Sequence, residues 1–448
     1  MTTSLSSSMA AKEWRMAFLT LRDEAHHEDC TMGLSEPIDD LLNRVIFSQL
    51  STLTAVSRCL PTHEVTSDIL FLMELVSKCR RWKHNDFILA FHKISHMIYE
   101  ICQGQHASLQ LNSSSWERFL ECFAQLLRLS FSNRTQEPVT YEVFKSVKLC
   151  LDILRYLECS HQQKFTLQDD VQLANFLLNL IEHTNLQLLV SLNTLKYPDK
   201  HADYWQCQTH TYVMLNLVIQ KLGSSFPKDI WLRTIEVLRK VLELLASLGS
   251  ICEDKIMSRF LLAVLNSLHA LLVDPKGSVK DHVSSFVASL RLLLLYGHSS
   301  RTGHKNNTKT LREEEFTIRF PEKSGSTCGS TYKPPHVRRR DKPGPSLDSS
   351  AAFCHDSLAS SSDSDCSDCD GGPNDFNTSQ FAKVRVCSIV CIQDLCQIDP
   401  KSFTNQWMSL LPTTDVLQPR KLEATLMTCL LFDPHVKVIN SDTGLIFI

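Results

Sequence analysis

Glycine is scarce, with 13 among 448 residues, and that scarcity argues against nucleotide-binding folds built on glycine-rich turns. Familiar catalytic signatures are missing too. No Gly-x-Ser-x-Gly elbow, His-Glu-x-x-His helix or Gly-x-x-x-x-Gly-Lys phosphate loop occurs in the chain. No apolar run approaches the roughly 18 uninterrupted residues of a membrane span, and even Phe286 to Tyr296 is broken by Arg291. The Ser/Thr-rich start, Met1 to Ala11, meets Lys12, Glu13 and Arg15 before an apolar signal core can form, which argues against a cleaved secretory signal. Charge of one sign is lacking as well. With 46 basic and 49 acidic residues the net charge is -3, which gives no global attraction to a polyanion or an anionic membrane. The 17 cysteines lack the spacing of a disulfide framework. Reduced thiols in a soluble cytoplasmic or nuclear protein are expected.

What the chain does have is helical periodicity, almost without interruption from Ala11 to Tyr296. Val143, Val147, Cys150, Leu154 and Leu157 fall on one helical stripe. Leu232, Ile235, Leu238, Leu242, Leu245 and Leu248 form a second. Met257, Phe260, Leu261, Val264, Leu265, Leu268, Leu271 and Leu272 form a third, broad enough to touch neighbours on two sides. Pro37 and Pro227 suit first helical turns, Ser114 with Glu117 and Ser250 with Glu253 have capping-box spacing, and Gly223, Gly249 and Gly297 follow apolar runs as stops. About eleven helices with short connections are expected before residue 297, an arrangement that suits stacked antiparallel pairs. The histidines and aromatics between Trp82 and Tyr99 fit the same stripes and are expected in the core.

Residues 298–375 change character. They are rich in Ser, Gly, Pro, Asp, Lys and Arg, too poor in apolar residues to offset ordering entropy, and are expected to form a disordered linker. The linker is bipolar: Lys333 to Lys342 is basic, Ser357 to Asp370 acidic and serine-rich. The expected organisation is a disordered start at 1–10, a helical-repeat block at 11–297, the linker, a second helical block at 376–438 and a short tail at 439–448.

Two Asp-Pro turns carry the repeat argument. Asp274, Pro275, Val279 and Lys280 follow the third stripe, and Asp433, Pro434, Val436 and Lys437 follow the run Leu422 to Leu431. In such a turn Asp can cap the incoming helix while Pro fixes its first turn. The acidic serine run ending in Gly371 and Gly372, then Ala382-Lys383-Val384-Arg385, Trp407 and the Asp433-Pro434 turn resemble the HEAT repeat-containing protein 6 family over residues 357–438. The resemblance implies an all-α, HEAT/armadillo-like α-solenoid with a domain of unknown function after a charged linker. It implies no activity and no catalytic residues. After Val436-Lys437 the wording departs from that family, and the expectation is a truncated product.

Candidate chemistry concentrates in the linker. Ser360, Ser362 and Ser367 each have Asp three residues later, the pattern of acidophilic phosphorylation. Arg338, Arg339 and Arg340 could act as a nuclear address or nucleic-acid contact. Cys354-His355 with Cys366 and Cys369 offers zinc-ligand types, but a Ser/Asp tract without a folding nucleus does not present them as a closed tetrahedron; His26, His27 and Cys30 read as a solvated loop. No metal, cofactor, membrane span or small-molecule substrate is expected, and nucleic acid is disfavoured. The expected function is a non-enzymatic scaffold for protein partners, with a solenoid transport or cargo adaptor as the alternative; a nucleic-acid-associated factor or an unrecognised enzyme ranks below both.

Overall fold

The structure is a computed structural model of the chain. It describes residues 2–30, 38–78, 84–103, 109–132, 141–161, 166–193, 202–247, 251–298, 373–412, 424–435 and 437–439. Among these all regular structure is helical, with no strand. The helices are α1 (Thr2–Cys30), α2 (Ile38–Val45), α3 (Leu50–Ser57), α4 (Thr62–Lys78), α5 (His84–Gln103), α6 (Ser113–Ser132), α7 (Tyr141–His161) and α8 (Leu167–Asn193). They continue with α9 (Ala202–Leu222), α10 (Lys228–Ser247), α11 (Lys255–Val273), α12 (Val283–Leu293), α13 (Pro373–Ile398), α14 (Pro400–Thr404), α15 (Trp407–Leu410) and α16 (Leu426–Phe432).

The apolar stripes explain why these segments are helical and which way they face. All five stripe residues of α7 are buried, as are all eight of α11. In α10 the stripe from Ile235 to Leu245 is buried, but Leu232 at its edge is 42% exposed and Leu248 lies outside the described residues. Three buried tryptophans tie helices together by their indole N-H groups. Trp14 donates to Asp68 (2.8 Å), Trp116 to the Asp169 carbonyl (3.2 Å) and Trp231 to the Leu271 carbonyl (3.1 Å). Each thus hydrogen-bonds its one polar atom while the ring fills the core.

Helix α11 has the length and mean hydropathy (1.7) of a membrane span, although Arg259, Asn266 and His269 interrupt its apolar run. Its stripe is nonetheless spent inside the protein, packed against α9 and α10.

Packing follows a rule of next-but-one neighbours. The odd-numbered helices touch in the order α1, α3, α5, α7, α9, α11, and α4, α6, α8, α10 and α12 form a parallel series. Helix α13 extends the odd row, since the Cys391 thiol reaches the Leu265 carbonyl of α11 (3.5 Å). Helix α14 touches α12, and the Cys429 thiol of α16 reaches the Leu294 carbonyl just after α12 (3.4 Å). The helices on either side of residues 299–372 therefore belong to one compact unit with one core, although a reading from the linker separates them.

Several local expectations shift by a few residues. Helix α6 is capped by Asn112, whose side chain accepts from the Ser115 N-H (2.8 Å), in place of Ser114. Helix α11 is capped by Asp254, which accepts from Met257 (2.7 Å), in place of Ser250. Pro227 precedes α10 and offers its carbonyl to the Trp231 N-H (2.9 Å). Asp274 pairs with Lys276 (2.6 Å). Gly223 and Gly297 do adopt positive φ, 46° and 85°. Pro37, Gly249 and the linker at 299–372, with its expected disorder, lie outside the described residues.

Candidate functional site

The odd-row helices present a surface on which polar side chains meet across neighbouring helices. On α7, Lys148, Asp152 and Arg155 are spaced to share one stripe, opposite the buried stripe that begins at Val143. On α9, Gln206 and His210 lie one turn apart and face it. Lys148 Nζ donates to Gln206 Oε1 (3.4 Å), and His210 Nδ1 stands 3.7 Å from Asp152 Oδ1. Burial pushes the Asp152 carboxyl up and the His210 imidazole down; the attraction within the pair opposes both shifts. Lys148, Arg155 and, from α11, Arg259 lie within electrostatic reach of His210 and oppose its protonation further.

Among the described residues Lys148, Arg155 and Arg259 have no carboxylate at ion-pair distance, but Asp152 lies within electrostatic reach of Lys148 and Arg155, and Glu158 of Arg155. Both rows also contain paired cations, such as Lys221 of α9 with Asp170 (2.7 Å). Arg118 binds Glu74 (Nε to Oε1 3.0 Å), Arg233 clamps Glu182 (2.6 and 3.0 Å), and Arg239 and Lys240 share Glu236 (2.7 and 3.3 Å).

Further along the odd row, His269 of α11 meets Asp394 of α13 at 2.6 Å. The hydrogen bond to Asp394 raises the His269 pKa against the opposing effect of burial. His269 also rims a groove of about 310 Å³ whose walls include Phe226, Trp231 and Val273. On α5, Phe87 and Phe91 are buried as expected, whereas His92 is half-buried near Ser146 Oγ (3.4 Å) and His96 is exposed beside Glu100 (3.9 Å).

A different ionic group is sealed inside. Arg385 of α13 binds Asp433, after α16, with Nε to Oδ2 at 2.6 Å and Nη2 to Oδ1 at 3.0 Å, and its Nη1 donates to the Tyr296 carbonyl (2.8 Å). Asp433 also accepts from the His435 N-H (2.9 Å) and lies 3.4 Å from His298 Nε2. Both side chains are almost wholly buried, at 2% and 0% exposure. Burial alone would raise the Asp433 carboxyl, but its bonds to His298, Arg385 and His435 hold it well below the usual carboxylate range. This arrangement joins three elements and offers no open position to a substrate.

Residues 383–441 match a family model described as a domain of unknown function (DUF4042). Arg385, Asp394 and Asp433 all fall within the matched stretch, whereas their partners Tyr296, His298 and His269 precede it. No curated protein and no solved structure matches the chain.

Ser360, Ser362, Ser367, Arg338, Arg339, Arg340, Cys354, His355, Cys366 and Cys369 lie outside the described residues, as do the side chains of His26, His27 and Cys30. Among the described residues no group of three His, Cys, Asp or Glu is placed to hold a metal. The cluster on α7, α9 and α11 was missed. Its sequence signal was the polar side of the α7 stripe, where Lys148, Asp152 and Arg155 recur at helical spacing.

Proposed function

We propose that this chain is a non-enzymatic, HEAT/armadillo-like helical-repeat scaffold that binds protein partners in the cytoplasm or nucleus. The observation that carries the reading is the next-but-one packing of helices in two parallel series. Antiparallel helix pairs stacked in line have this contact pattern, because each helix lies beside its counterpart in the preceding and following pair. Such stacking buries a continuous core between the rows and leaves the outer side of each row as an extended surface. The side chains that meet there, Lys148 with Gln206, Asp152 with His210 and His269 with Asp394, are suited to polar recognition. The DUF4042 match at 383–441 supports the resemblance to the HEAT repeat-containing protein 6 family, in which a domain of unknown function occupies the corresponding place.

The test is affinity capture of the full chain followed by cross-linking mass spectrometry. The expected result is a reproducible set of proteins cross-linked to α5, α7, α9 or α11. Recovery of no protein above a control bait would overturn the reading, as would release of a chemically altered small molecule by the purified chain.

A further inference from the structure

We infer that the face made by α11, α12 and the turn Tyr296–His298 is a binding surface for residues 373–439, which hold to it by contact alone and do not need the chain that connects them to it. The partner of this surface is therefore a stretch of the same chain, whatever else the scaffold binds.

The seam between the two parts is crossed at several separate points. Arg385 donates to the Tyr296 carbonyl (2.8 Å), Arg291 donates to the Ala424 carbonyl (2.8 Å), and His269 meets Asp394 at 2.6 Å. The Cys391 and Cys429 thiols reach the Leu265 and Leu294 carbonyls (3.5 and 3.4 Å). The Tyr296 and Phe381 rings meet edge to face with centroids 5.4 Å apart, and Gly297 lies so close to Phe381 that a Cβ there would stand 2.6 Å from it. Apolar burial accompanies these contacts, since Val384, Ile389, Ile392, Leu395 and Leu426 are buried in one core with Leu265 and Leu290. Such contacts stabilise two pieces whether or not a chain joins them; a tether adds only local concentration, about millimolar at best. Cys387, Cys391, Cys396 and Cys429 are free thiols, so no disulfide crosses the seam among the described residues.

The bound part has little with which to fold alone. Helices α14, α15 and α16 span 5, 4 and 7 residues, below the roughly 12–15 at which an isolated helix becomes even marginal. Their order comes from packing, and much of that packing is supplied across the seam. Folding of residues 373–439 is thus coupled to binding, and a cut between residues 299 and 372 leaves the part in place and folded.

The test cuts the full chain. A protease site flanked by Gly-Ser spacers is inserted after Gly344 in a chain tagged at its N-terminus, and cleavage is verified on a denaturing gel. The expected result is that the C-terminal piece stays with the immobilised N-terminal piece, that circular dichroism is unchanged, and that Tm falls on dilution in the cut chain but not in the uncut one. Gly297→Ala, which drives a Cβ into Phe381, speeds loss of the piece on the order of tenfold or more. Gly223→Ala shares the positive φ but has open space and leaves retention unchanged. Should Gly297→Ala disturb the uncut fold, Arg291→Met, which removes the bond to the Ala424 carbonyl, is read in its place and speeds loss roughly tenfold. Loss of the piece from the cut wild-type chain overturns the inference, as does wild-type retention in both seam variants. Neither outcome touches the scaffold reading, which falls only if affinity capture recovers no protein.

Discussion

Replacing Arg385 by Met removes two hydrogen bonds to Asp433 and one to the Tyr296 carbonyl, leaving a carboxylate of 0% exposure with only His298 and the His435 N-H as neighbours. Methionine keeps the volume and the unbranched stem, so the change is electrostatic more than steric. Breaking a buried pair from one side costs about 3–5 kcal/mol, because the remaining charge stays out of water without compensation. Spread over a cooperative unit of about 300 residues, at roughly 2.1 cal/mol/K per residue, that cost lowers Tm by about 5–8 °C. The loss should also be local. Amide exchange measured by mass spectrometry is expected to speed up in α13 and α16 and in the segment around Tyr296, and to stay unchanged in α4 to α8. The double variant Arg385→Met, Asp433→Leu removes both charges and is expected to recover all but about 1 kcal/mol, the residue being the unmatched Tyr296 carbonyl. Acid gives an independent check. The folded Asp433 carboxyl is held below its unfolded value of about 3.9, so its stabilisation is complete above that value and is lost as pH falls through the lower folded one. The deficit of Arg385→Met should accordingly narrow as pH drops below about 4. A single variant that loses less than about 1 kcal/mol, with no change in exchange, would refute the view that this clamp holds the matched stretch in place.

Three further outcomes follow from the same geometry. Asp394→Asn removes the partner that raises the His269 pKa. With His269 nearly half exposed, the pair contributes on the order of 0.5–1 kcal/mol, present below the unfolded histidine value near 6.5 and lost as pH rises through the folded one. Denaturation curves should therefore separate wild type from variant at pH 5.5–6 and converge at pH 8.5 or so; the opposite trend would count against the assignment. Gly297→Ala places a Cβ 2.6 Å from Phe381 at a φ of 85°, and strain plus overpacking should cost about 2–4 kcal/mol. Gly223→Ala has open space at a φ of 46° and should cost only about 1–2 kcal/mol; equal effects by thermal denaturation would contradict the packing at Gly297. Under brief iodoacetamide treatment and peptide mapping, exposed Cys59 should be alkylated before Cys252, whose thiol burial and Asp254 push up to about 12, and buried Cys391 should resist until the chain unfolds.

Much of the helical layout was legible because it is written in short-range spacing. The stripes of α7 and α11 mark the buried faces, and Gly223 and Gly297 stop runs where a left-handed residue is needed. Caps were less legible. Asn112 and Asp254 serve where Ser114 and Ser250 had equal claim by spacing, since the end of a helix depends on where the preceding chain enters it. The candidate surface was not legible. Arg338–Arg340 and Ser360, Ser362 and Ser367 stand out by density in one stretch of sequence, whereas Lys148, Asp152, Gln206 and His210 are dispersed over two helices.

The sequence alone determined that this protein is helical, which side of each main helix is apolar, and where several helices stop, because those properties depend on residues within a turn or two of one another. Only the tertiary structure decided which helices lie side by side. It set Arg385 against Asp433 and His269 against Asp394, pairs 48 and 125 residues apart, and it brought Lys148 of α7 to Gln206 of α9. Charge pairing acts over a few ångströms of space and is blind to distance along the chain. Its outcome is fixed once the apolar stripes have packed, and not before.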